Sequence, residues 1–261
     1  RAARLAPGFL AAAEVWLVEP SKPLVERQRA ALGGAGVAPR WTDRLAAVPN
    51  GPAILIANEV FDCLPAAQYV RSQTGVAERV VGLDARGELA FGFRPALAAL
   101  PPETPCGGVV EVSSAQRALA AQLADRVTAG GGAALVIDYG GDGDGDTLQA
   151  LKRHQKVDPL ACPGEADLTV HVDFAALSEA AMRAGAGVSL LDQRELLLRL
   201  GIDERAAALT ASRPDQADRI GRQLERLIGE DAMGRLFKAA CIHGRGLTPA
   251  GFEDAEWPGG A

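Results

Sequence analysis

Residues 53–65 read AILIANEVFDCLP, in which a run of aliphatic residues leads directly into Asn58, Glu59 and Asp62. An aliphatic run of this length is typical of a strand that is covered on both faces, as in a parallel sheet. Ligands of such sheets bind at the carboxyl ends of the strands, which is where the amide and the two acids fall. The stretch therefore predicts an α/β fold with a binding site at this strand end.

The flanking sequence supports an alternating α/β arrangement. Residues 14–18 and 37–41 predict short strands, and residues 23–32 between them predict a helix. Strands that alternate with helices indicate a parallel sheet. Between residues 68 and 93 the pattern changes to short β-like pieces separated by turn sequences, which predicts an antiparallel insertion.

A second aliphatic strand, residues 133–137, ends on Asp138 and Tyr139, so we expect a second acidic and aromatic strand end beside the first. The next residues, 140–170, are long for a loop, and long loops are usually functional or disordered. Further elements are expected as helices at residues 115–127, 174–184, 195–209 and 214–228 and as a strand at residues 188–191. Residues 236–242 fit either an edge strand or a buried helix, because their periodicity does not decide.

The composition indicates a globular protein and argues against two classes of partner. The chain has 261 residues, of which 48% are apolar, and it can bury a sizeable core as one large domain or two small ones. Its net charge is −6 and its basic residues are scattered, which argues against a nucleic-acid surface. The longest apolar runs fall short of the ~20 residues that span a bilayer, so we expect no membrane partner.

The cysteines predict the compartment. They form no CxxC pair and lie near no histidine at the spacing of a zinc site: Cys63, Cys106, Cys162 and Cys241. Isolated thiols of this kind are typical of a reducing compartment, and we expect the cytoplasm.

The acidic strand ends fit both structural and functional interpretations. Asn58 can cap a helix whose first turn holds Glu59 and Asp62. The two carboxylates can equally point into a pocket, where a guanidinium presents parallel N–H pairs to them. Glu19 and Asp43 follow the first two predicted strands, where acids of nucleotide-binding folds accept from ribose hydroxyls or an adenine amino group.

His171 lies between Asp167 and Asp173 in the segment DLTVHVDF, and the chain has only three histidines. A histidine flanked by acids is a candidate acid or base. The alternative is a structural histidine that is hydrogen-bonded to a neighbouring carboxylate.

Several common motifs are absent from the sequence. The DGDGD run at residues 142–146 starts like a calcium loop, but lacks Gly at its sixth position and Glu at its twelfth. We therefore expect a solvated acidic loop and no metal. A G-x-S-x-G elbow, a P-loop and a Gly-rich dinucleotide fingerprint are also absent. The lack of the Gly-rich fingerprint weakens a further alternative, a nucleotide-dependent oxidoreductase.

Three segments carry a resemblance to a known family: NEVFDCLP at 58–65, VIDYG at 136–140 and GDTLQALKRHQKVDPLACPGEADLTVHVDF at 145–174. They resemble the MidA-like S-adenosylmethionine-dependent methyltransferases, a family that includes a mitochondrial factor that methylates an arginine on a complex I subunit. The resemblance runs over nearly the whole chain. It implies a class I methyltransferase fold: a Rossmann-like, mostly parallel sheet of seven strands with an antiparallel insertion and extra C-terminal helices.

The resemblance, together with carboxylate chemistry, implies three groups of site residues. The cofactor, S-adenosylmethionine, would contact Glu19, Asp43 and Asn58. Catalysis would depend on Glu59, Asp62 and His171. The acceptor site would include Phe61, Tyr139, Asp167 and Asp173.

The resemblance also implies one methyltransferase domain over residues 1–261, with the insertion at about 68–93 and an active-site loop at about 140–173. The family's first strand and its Gly-rich turn would precede Arg1, and the sequence does not contain them. We expect the native protein to have an N-terminal region that supplies them. Without them the chain would bind the cofactor poorly and leave neighbouring strands unpaired.

The sequence and the resemblance are therefore compatible with two functions. The first is a protein methyltransferase that modifies an arginine guanidinium of a partner protein, with the oligomeric state open and a homodimer as one option. The second is a non-catalytic assembly or binding protein that keeps the fold as a scaffold and contacts its partner through the insertion at 68–93.

Overall fold

The computed structural model describes residues 6–34, 36, 38–141 and 145–253, and the chain divides into two compact units, Arg1–Gly51 and Pro52–Ala261. The single domain implied by the resemblance stays a prediction. The elements of the first unit are helix α1 (Pro7–Ala12), strand β1 (Trp16–Val18), helix α2 (Lys22–Leu32), strand β2 (Arg40–Thr42) and a 3-10 turn (Leu45–Ala47).

The two strands of the first unit are parallel, with Trp16 opposite Arg40 and Val18 opposite Thr42. Strand β2 begins later than the predicted residue 37, which lies outside the described residues. Because β1 and β2 are parallel, the residues that follow them lie at the same edge of this pair.

The second unit holds the longer elements. Its strands are β3 (Ala53–Asn58), β4 (Ala67–Ser72), β5 (Gly75–Leu83), β6 (Leu89–Ala96), β7 (Val109–Val112), β8 (Gly132–Gly141), β9 (Gln149–Lys152), β10 (Gln155–Val157), β11 (Asp167–Thr169), β12 (Val172–Asp173), β13 (Gly187–Asp192) and β14 (Phe237–His243). Its helices are α3 (Ser114–Gly130), α4 (Phe174–Arg183), α5 (Gln193–Arg199), α6 (Ile202–Ser212), α7 (Ala217–Ile228) and α8 (Met233–Leu236).

Strands β3, β8, β14 and β13 lie side by side in the main sheet. Strand β3 is parallel to β8, from Ala53 opposite Gly132 to Asn58 opposite Ile137. Strand β14 is antiparallel to both β8 and β13, so the segment whose periodicity was undecided is a strand and not a helix. The parallel pairing places the carboxyl ends of β3 and β8 at one edge of the sheet.

The core lies on both faces of β8. On one face Val136 is fully buried, and helices α3 and α4 cover it with their apolar sides. On the other face Leu135 packs against a cluster that includes Leu196 of α5 and Cys241 of β14. Helix α3 begins at a cap, since the Ser113 hydroxyl accepts from the Gln116 amide.

Strand β3 differs from the prediction of a strand covered on both faces. Its residues alternate in burial, and Ile54 and Ile56 are 71% and 72% exposed. The aliphatic run alone did not reveal this, because an uninterrupted apolar strand contains no polar residues that would mark an uncovered face.

The antiparallel insertion is larger than residues 68–93. Strands β4–β7 form a four-stranded antiparallel sheet in the order β6-β5-β4-β7. Cross-strand pairs on one side of β5 and β6 leave large apolar side chains exposed, namely Val81, Leu83, Leu89, Phe91 and Phe93. We call these five residues the apolar face.

The segment after β8 is a second small sheet rather than an irregular loop. Strands β9, β10 and β11 are antiparallel in the order β10-β9-β11, and β12 then pairs with Gly140 and Gly141 at the end of β8. This arrangement brings residues 167–173 back to the carboxyl end of β8.

The C-terminal helices are more broken than the sequence predicts. The helix predicted at 195–209 is two helices, α5 and α6, separated at Gly201, whose φ of +77° is left-handed. The one predicted at 214–228 begins with a 3-10 turn before α7. Within the described part of the chain, no helix is long and apolar enough to cross a membrane.

Candidate active site

The segment that follows β3 crosses over the end of β8. The Glu59 amide donates to the Ile137 carbonyl at 2.9 Å, and Glu59 adopts a left-handed φ of +50°. This conformation is uncommon for a residue other than glycine, and it turns the chain sharply at the strand end. The candidate site is built on this turn.

Asp138 of β8 organises the turn. Its side chain is fully buried, and its Oδ2 accepts hydrogen bonds from the amides of Val60, Phe61 and Asp62 at 3.1, 2.9 and 3.2 Å. Its Oδ1 accepts from the Tyr139 amide at 2.9 Å. Successive amides that converge on one anionic oxygen form a nest.

The helix of the structural alternative, with Asn58 as its cap, is not formed. Residues 59–64 adopt a turn, in which the Leu64 amide donates to the Phe61 carbonyl at 3.1 Å. The amides that a helix cap would satisfy are instead satisfied by Asp138, from a strand 76 to 78 residues further along the chain. The Asn58 side chain donates to Glu59 Oε1 at 3.3 Å.

Asp62 is held in place from two directions. It is 6% exposed, and its Oδ2 accepts from the Tyr139 hydroxyl at 2.6 Å. Its carbonyl accepts from the Val170 amide at 3.0 Å, which ties the turn to the segment after β11. Glu59, by contrast, is exposed.

The pKa values reflect burial and the close approach of acids. Burial and then the nearby Asp62 carboxylate raise the pKa of Asp138 to about 6, against the opposing effect of its amide hydrogen bonds. Burial, followed by the hydrogen bond to Asp62, raises the pKa of Tyr139 above its usual range. Burial, Asp62 and Asp167 also raise the pKa of the Cys63 thiol, which places Asp167 near this cluster.

Tyr139 also forms the centre of an aromatic contact. Its ring meets His171 edge to face, with centroids 5.6 Å apart, and tilts against Phe237 at 5.4 Å. His171 is half-buried, and among the hydrogen bonds of the described residues its ring has no carboxylate partner. The structural alternative for His171, a hydrogen bond to Asp167 or Asp173, is therefore not seen.

Two expected acceptor-site residues have other roles in the structure. The Phe61 side chain is fully buried, so it belongs to the core and cannot line an open site. Asp173 caps helix α4 by accepting from the Ala176 amide at 2.8 Å. Asp167 is exposed and Tyr139 is half-buried, so both stay predicted residues of the acceptor site.

A second network joins the insertion to the site. Glu111 of β7 accepts from the amides of Thr147 and Leu148 at 3.1 and 3.2 Å and from the Thr147 hydroxyl. The same hydroxyl accepts from the His171 amide at 2.8 Å. Thr147 thereby connects the insertion to the segment that carries His171.

An ion pair supports this connection. The Arg79 guanidinium donates to both oxygens of Asp146 at 2.8 Å, a bidentate contact. Gln68 bridges the pair to Glu111. The other acids of the DGDGD run, Asp142 and Asp144, lie outside the described residues.

The sequence did not reveal the roles of Asp138, Glu111 and Thr147. Asp138 was visible as an acid that ends an aliphatic strand in VIDYG, the same signal that singled out residues 58–62. Glu111 and Thr147 gave no signal, because their pairing depends on contacts between remote segments.

The expected cofactor residues of the first unit lie at the carboxyl ends of β1 and β2. Glu19 accepts from the Ser21 amide at 2.8 Å and from the Gln28 side chain at 3.2 Å, one bond on each oxygen. Because a carboxylate oxygen accepts two hydrogen bonds, the bonds from the described residues leave one position free on each. Asp43 is exposed.

Comparisons with known proteins give consistent results. A family model described as "Putative S-adenosyl-L-methionine-dependent methyltransferase" matches residues 1–191. The protein arginine methyltransferase NDUFAF7 of Danio rerio, a mitochondrial protein, is 35% identical over 206 residues, which cover 76% of this chain and 49% of that protein. The chain therefore spans about half the length of the curated relatives it matches.

Two solved structures from Burkholderia thailandensis share the fold. One covers 98% of this chain and 75% of its own, with a TM-score of 0.83 and 29% identity. The other, bound to S-adenosyl-homocysteine, covers 94% of this chain and 68% of its own, with a TM-score of 0.82 and 30% identity. These neighbours confirm the predicted α/β fold class.

The predicted cytoplasmic location is wrong, because the curated relatives that match are named as mitochondrial proteins. All four cysteines are free, as expected. Free thiols indicate a reducing environment, which does not distinguish the cytoplasm from another reducing compartment.

Proposed function

The chain belongs to this family of S-adenosyl-L-methionine-dependent methyltransferases, and from that premise we propose that it transfers methyl groups to an arginine guanidinium of a partner protein. One observation supports the choice of guanidinium above the others. Glu59, Asp62, Asp138 and Asp167 cluster at the ends of β3 and β8, and none has an ion-pair partner among the described residues. Such a cluster favours a cationic acceptor.

The residues of the first unit fit the cofactor. Glu19 has a free position on each carboxylate oxygen for a pair of ribose hydroxyls, and exposed Asp43 can accept from an adenine amino group. A neighbour of known structure holds the demethylated cofactor. When bound, S-adenosylmethionine supplies an electrophilic methyl group on a sulfonium sulfur, which leaves as a neutral thioether.

The chain's own residues orient the acceptor. Methyl transfer is an in-line displacement, so alignment and charge placement are the main contributions of the protein. Glu59 is exposed and accepts one hydrogen bond, from Asn58 to Oε1, which leaves Oε2 for guanidinium N–H groups. Asp62 adds a second negative charge to the cluster, and the Tyr139 hydroxyl fixes its carboxylate.

The carboxylates also set the reactivity of the acceptor. They draw positive charge toward the nitrogens that they contact and leave the remaining nitrogen with more lone-pair character. The proton is lost after transfer, and either Glu59 or the ring of His171 can accept it. Tyr139 contacts both Asp62 and His171, so it fixes the position of these two side chains relative to each other.

The partner that we propose is a protein, in keeping with the name of the relatives. A lack of nucleic-acid and membrane partners follows from charge and composition and stays a prediction. The oligomeric state, with a homodimer as one option, is likewise a prediction.

The proposal is tested with the full-length protein. Calorimetry with S-adenosylmethionine should show binding, and the variants Glu59→Gln and Asp62→Asn should lose turnover while they keep nearly the same cofactor affinity. The matched control is Glu103→Gln, which neutralises an exposed glutamate outside the cluster. Full activity in both site variants would contradict the assignment.

A second function, a non-catalytic assembly protein, is favoured by the apolar face. Its residues are 39% to 70% exposed and lie together on one side of β5 and β6, whereas a monomer usually scatters such residues. Cofactor binding without any methylated product would favour this function. If the protein forms methylated product, and Phe93→Ser forms the same amount, the assembly function is not needed to explain the protein.

A further inference from the structure

We propose that Asp138 is a positioning residue for methyl transfer, because its buried carboxylate gathers the amides of residues 60–62 and thereby places Glu59 and Asp62 at the acceptor site. The inference rests on the proposed function for its catalytic consequence. Its structural part, that one carboxylate holds the turn together, can be tested without any reaction.

The geometry shows how much of the turn depends on this one side chain. Three consecutive amides meet Oδ2 at 2.9 to 3.2 Å, and the Asp138 side chain has no exposed surface. Residues 60–62 belong to no helix or strand, so no backbone ladder provides partners for their amides. Removing the acceptor would leave buried N–H groups without a partner, which is unfavourable.

Other contacts also hold the turn, because the Phe61 carbonyl accepts from the Gln116 side chain at 3.0 Å and from the Leu64 amide at 3.1 Å. Two more fix its ends. The first is the Glu59 amide on the Ile137 carbonyl, and the second is the Asp62 carbonyl, which accepts from Val170. Between them Glu59 keeps its left-handed φ of +50°. A non-glycine residue stays in this region when its surroundings hold it there.

The charge of Asp138 matters as well as its shape. An asparagine has one acceptor oxygen, so its NH₂ group would face either the Tyr139 amide or the three amides of the turn. Both orientations place donor against donor. An amide therefore keeps the volume of the side chain and loses either one or three of its four hydrogen bonds.

The ionisation of Asp138 is set by the groups that face it. Asp62 of the turn repels its charge, and the Cys63 thiol lies close by. Across the sheet, Lys238 of β14 is its register partner, but the Lys238 ammonium bonds to Asp192. With a pKa of about 6, Asp138 is charged at neutral pH and becomes protonated under mildly acidic conditions.

The test compares Asp138→Asn with wild type in the full-length protein. We expect turnover to fall on the order of 10²-fold, the cost of a small misplacement at a reacting centre, with unchanged affinity for S-adenosylmethionine. Hydrogen exchange of the peptide that contains residues 59–64 should become faster. The turnover of wild type should decline as the pH falls through about 6, and the variant should lack this acidic limb.

The control is Asp84→Asn. The Asp84 carboxylate also accepts hydrogen bonds from two backbone amides, those of Arg86 and Glu88, but it lies in a hairpin turn of the insertion. This variant should leave turnover unchanged.

The proposal is overturned if Asp138→Asn has the turnover and the hydrogen exchange of wild type. If that variant unfolds, the wild-type pH profile decides, and turnover that is constant down to about pH 5 would overturn the proposal. If wild type transfers no methyl group, the proposed function fails, while the exchange experiment still decides the structural part.

Discussion

The two carboxylates of the turn, Glu59 and Asp62, are three residues apart and have opposite environments. Asp62 is 6% exposed, bonds to the Tyr139 hydroxyl and lies beside the buried Asp138. Glu59 is exposed, and the partner that its carboxylate has among the described residues is the adjacent Asn58. The inner acid is part of a scaffold, and the outer acid is free to contact a ligand.

This difference indicates a division of roles within one short segment. Changes at Glu59, the outer end of the segment, should affect turnover and leave the free energy of unfolding unchanged. Changes at the inner end, and at the residues that hold it, should affect both. Measuring turnover and unfolding on the same variants therefore separates the two ends.

The largest effect is expected at the outer end. Glu59→Gln should lower turnover by about 10²–10³-fold, since it removes the charge that faces the acceptor in the transition state. Its midpoint of urea unfolding should match that of wild type. In Asp62→Asn, both turnover and the midpoint should fall, because Tyr139 loses a charged acceptor. Equal unfolding of the two variants would remove the distinction between the ends.

The next effect concerns the stability of the inner end as the pH changes. The pKa of Asp138 is raised from 3.8 to about 6, so the folded protein binds this proton more tightly than the unfolded chain. Its favourable contribution is complete below about pH 4 and is lost as the pH rises through about 6. Relative to Asp138→Asn, wild type should lose about 3 kcal/mol of unfolding free energy between about pH 4 and pH 7.

That difference is measured by urea unfolding of the two proteins at a series of pH values. A difference that does not change with pH would show that Asp138 is not buried as described. Asp84→Asn provides the comparison, because its carboxylate lies in an exposed turn.

A smaller effect is expected from the hydroxyl that joins the inner acid to the aromatic contact. Tyr139→Phe keeps the ring beside His171 and Phe237 and removes the hydroxyl that donates to Asp62. Turnover should fall about 10-fold, in line with ~1.4 kcal/mol for one charged hydrogen bond. A loss as large as that of Glu59→Gln would place the tyrosine in direct contact with the reacting groups.

The smallest effect is expected from the connection to the insertion. Thr147→Val keeps the shape of the side chain and removes the hydroxyl that links Glu111 to the His171 amide. Turnover should fall a few-fold, about 0.5–1 kcal/mol, with no change in cofactor affinity. Unchanged turnover would show that the insertion does not influence the site through this residue.

The sequence predicted those features that depend on local pattern. The strands β3 and β8, their acidic ends and the antiparallel character of the insertion all follow from period, turn residues and position. The resemblance of residues 145–174 supplied the family. These signals were sufficient to name Glu59 and Asp62 as the pair of interest.

What the sequence could not predict depends on contacts between remote residues. The Asn58-Glu59 pattern also fits a capped helix. The turn forms instead because the Asp138 carboxylate accepts hydrogen bonds from the amides of residues 60–62. The burial of Phe61 follows from packing and not from its own position. The exposed side of β3 could not be inferred, since an all-aliphatic strand gives no indication of which face is covered.

The most direct test of the account is the chemical identity of the methylated residue. Protein extract from cells that lack this protein is incubated with S-adenosylmethionine and the full-length protein, either wild type or Glu59→Gln, and examined by mass spectrometry. Wild type should produce methylarginine, and Glu59→Gln should not, although both bind the cofactor equally. Methyl groups on another residue type, or equal methylarginine from both proteins, would contradict the account.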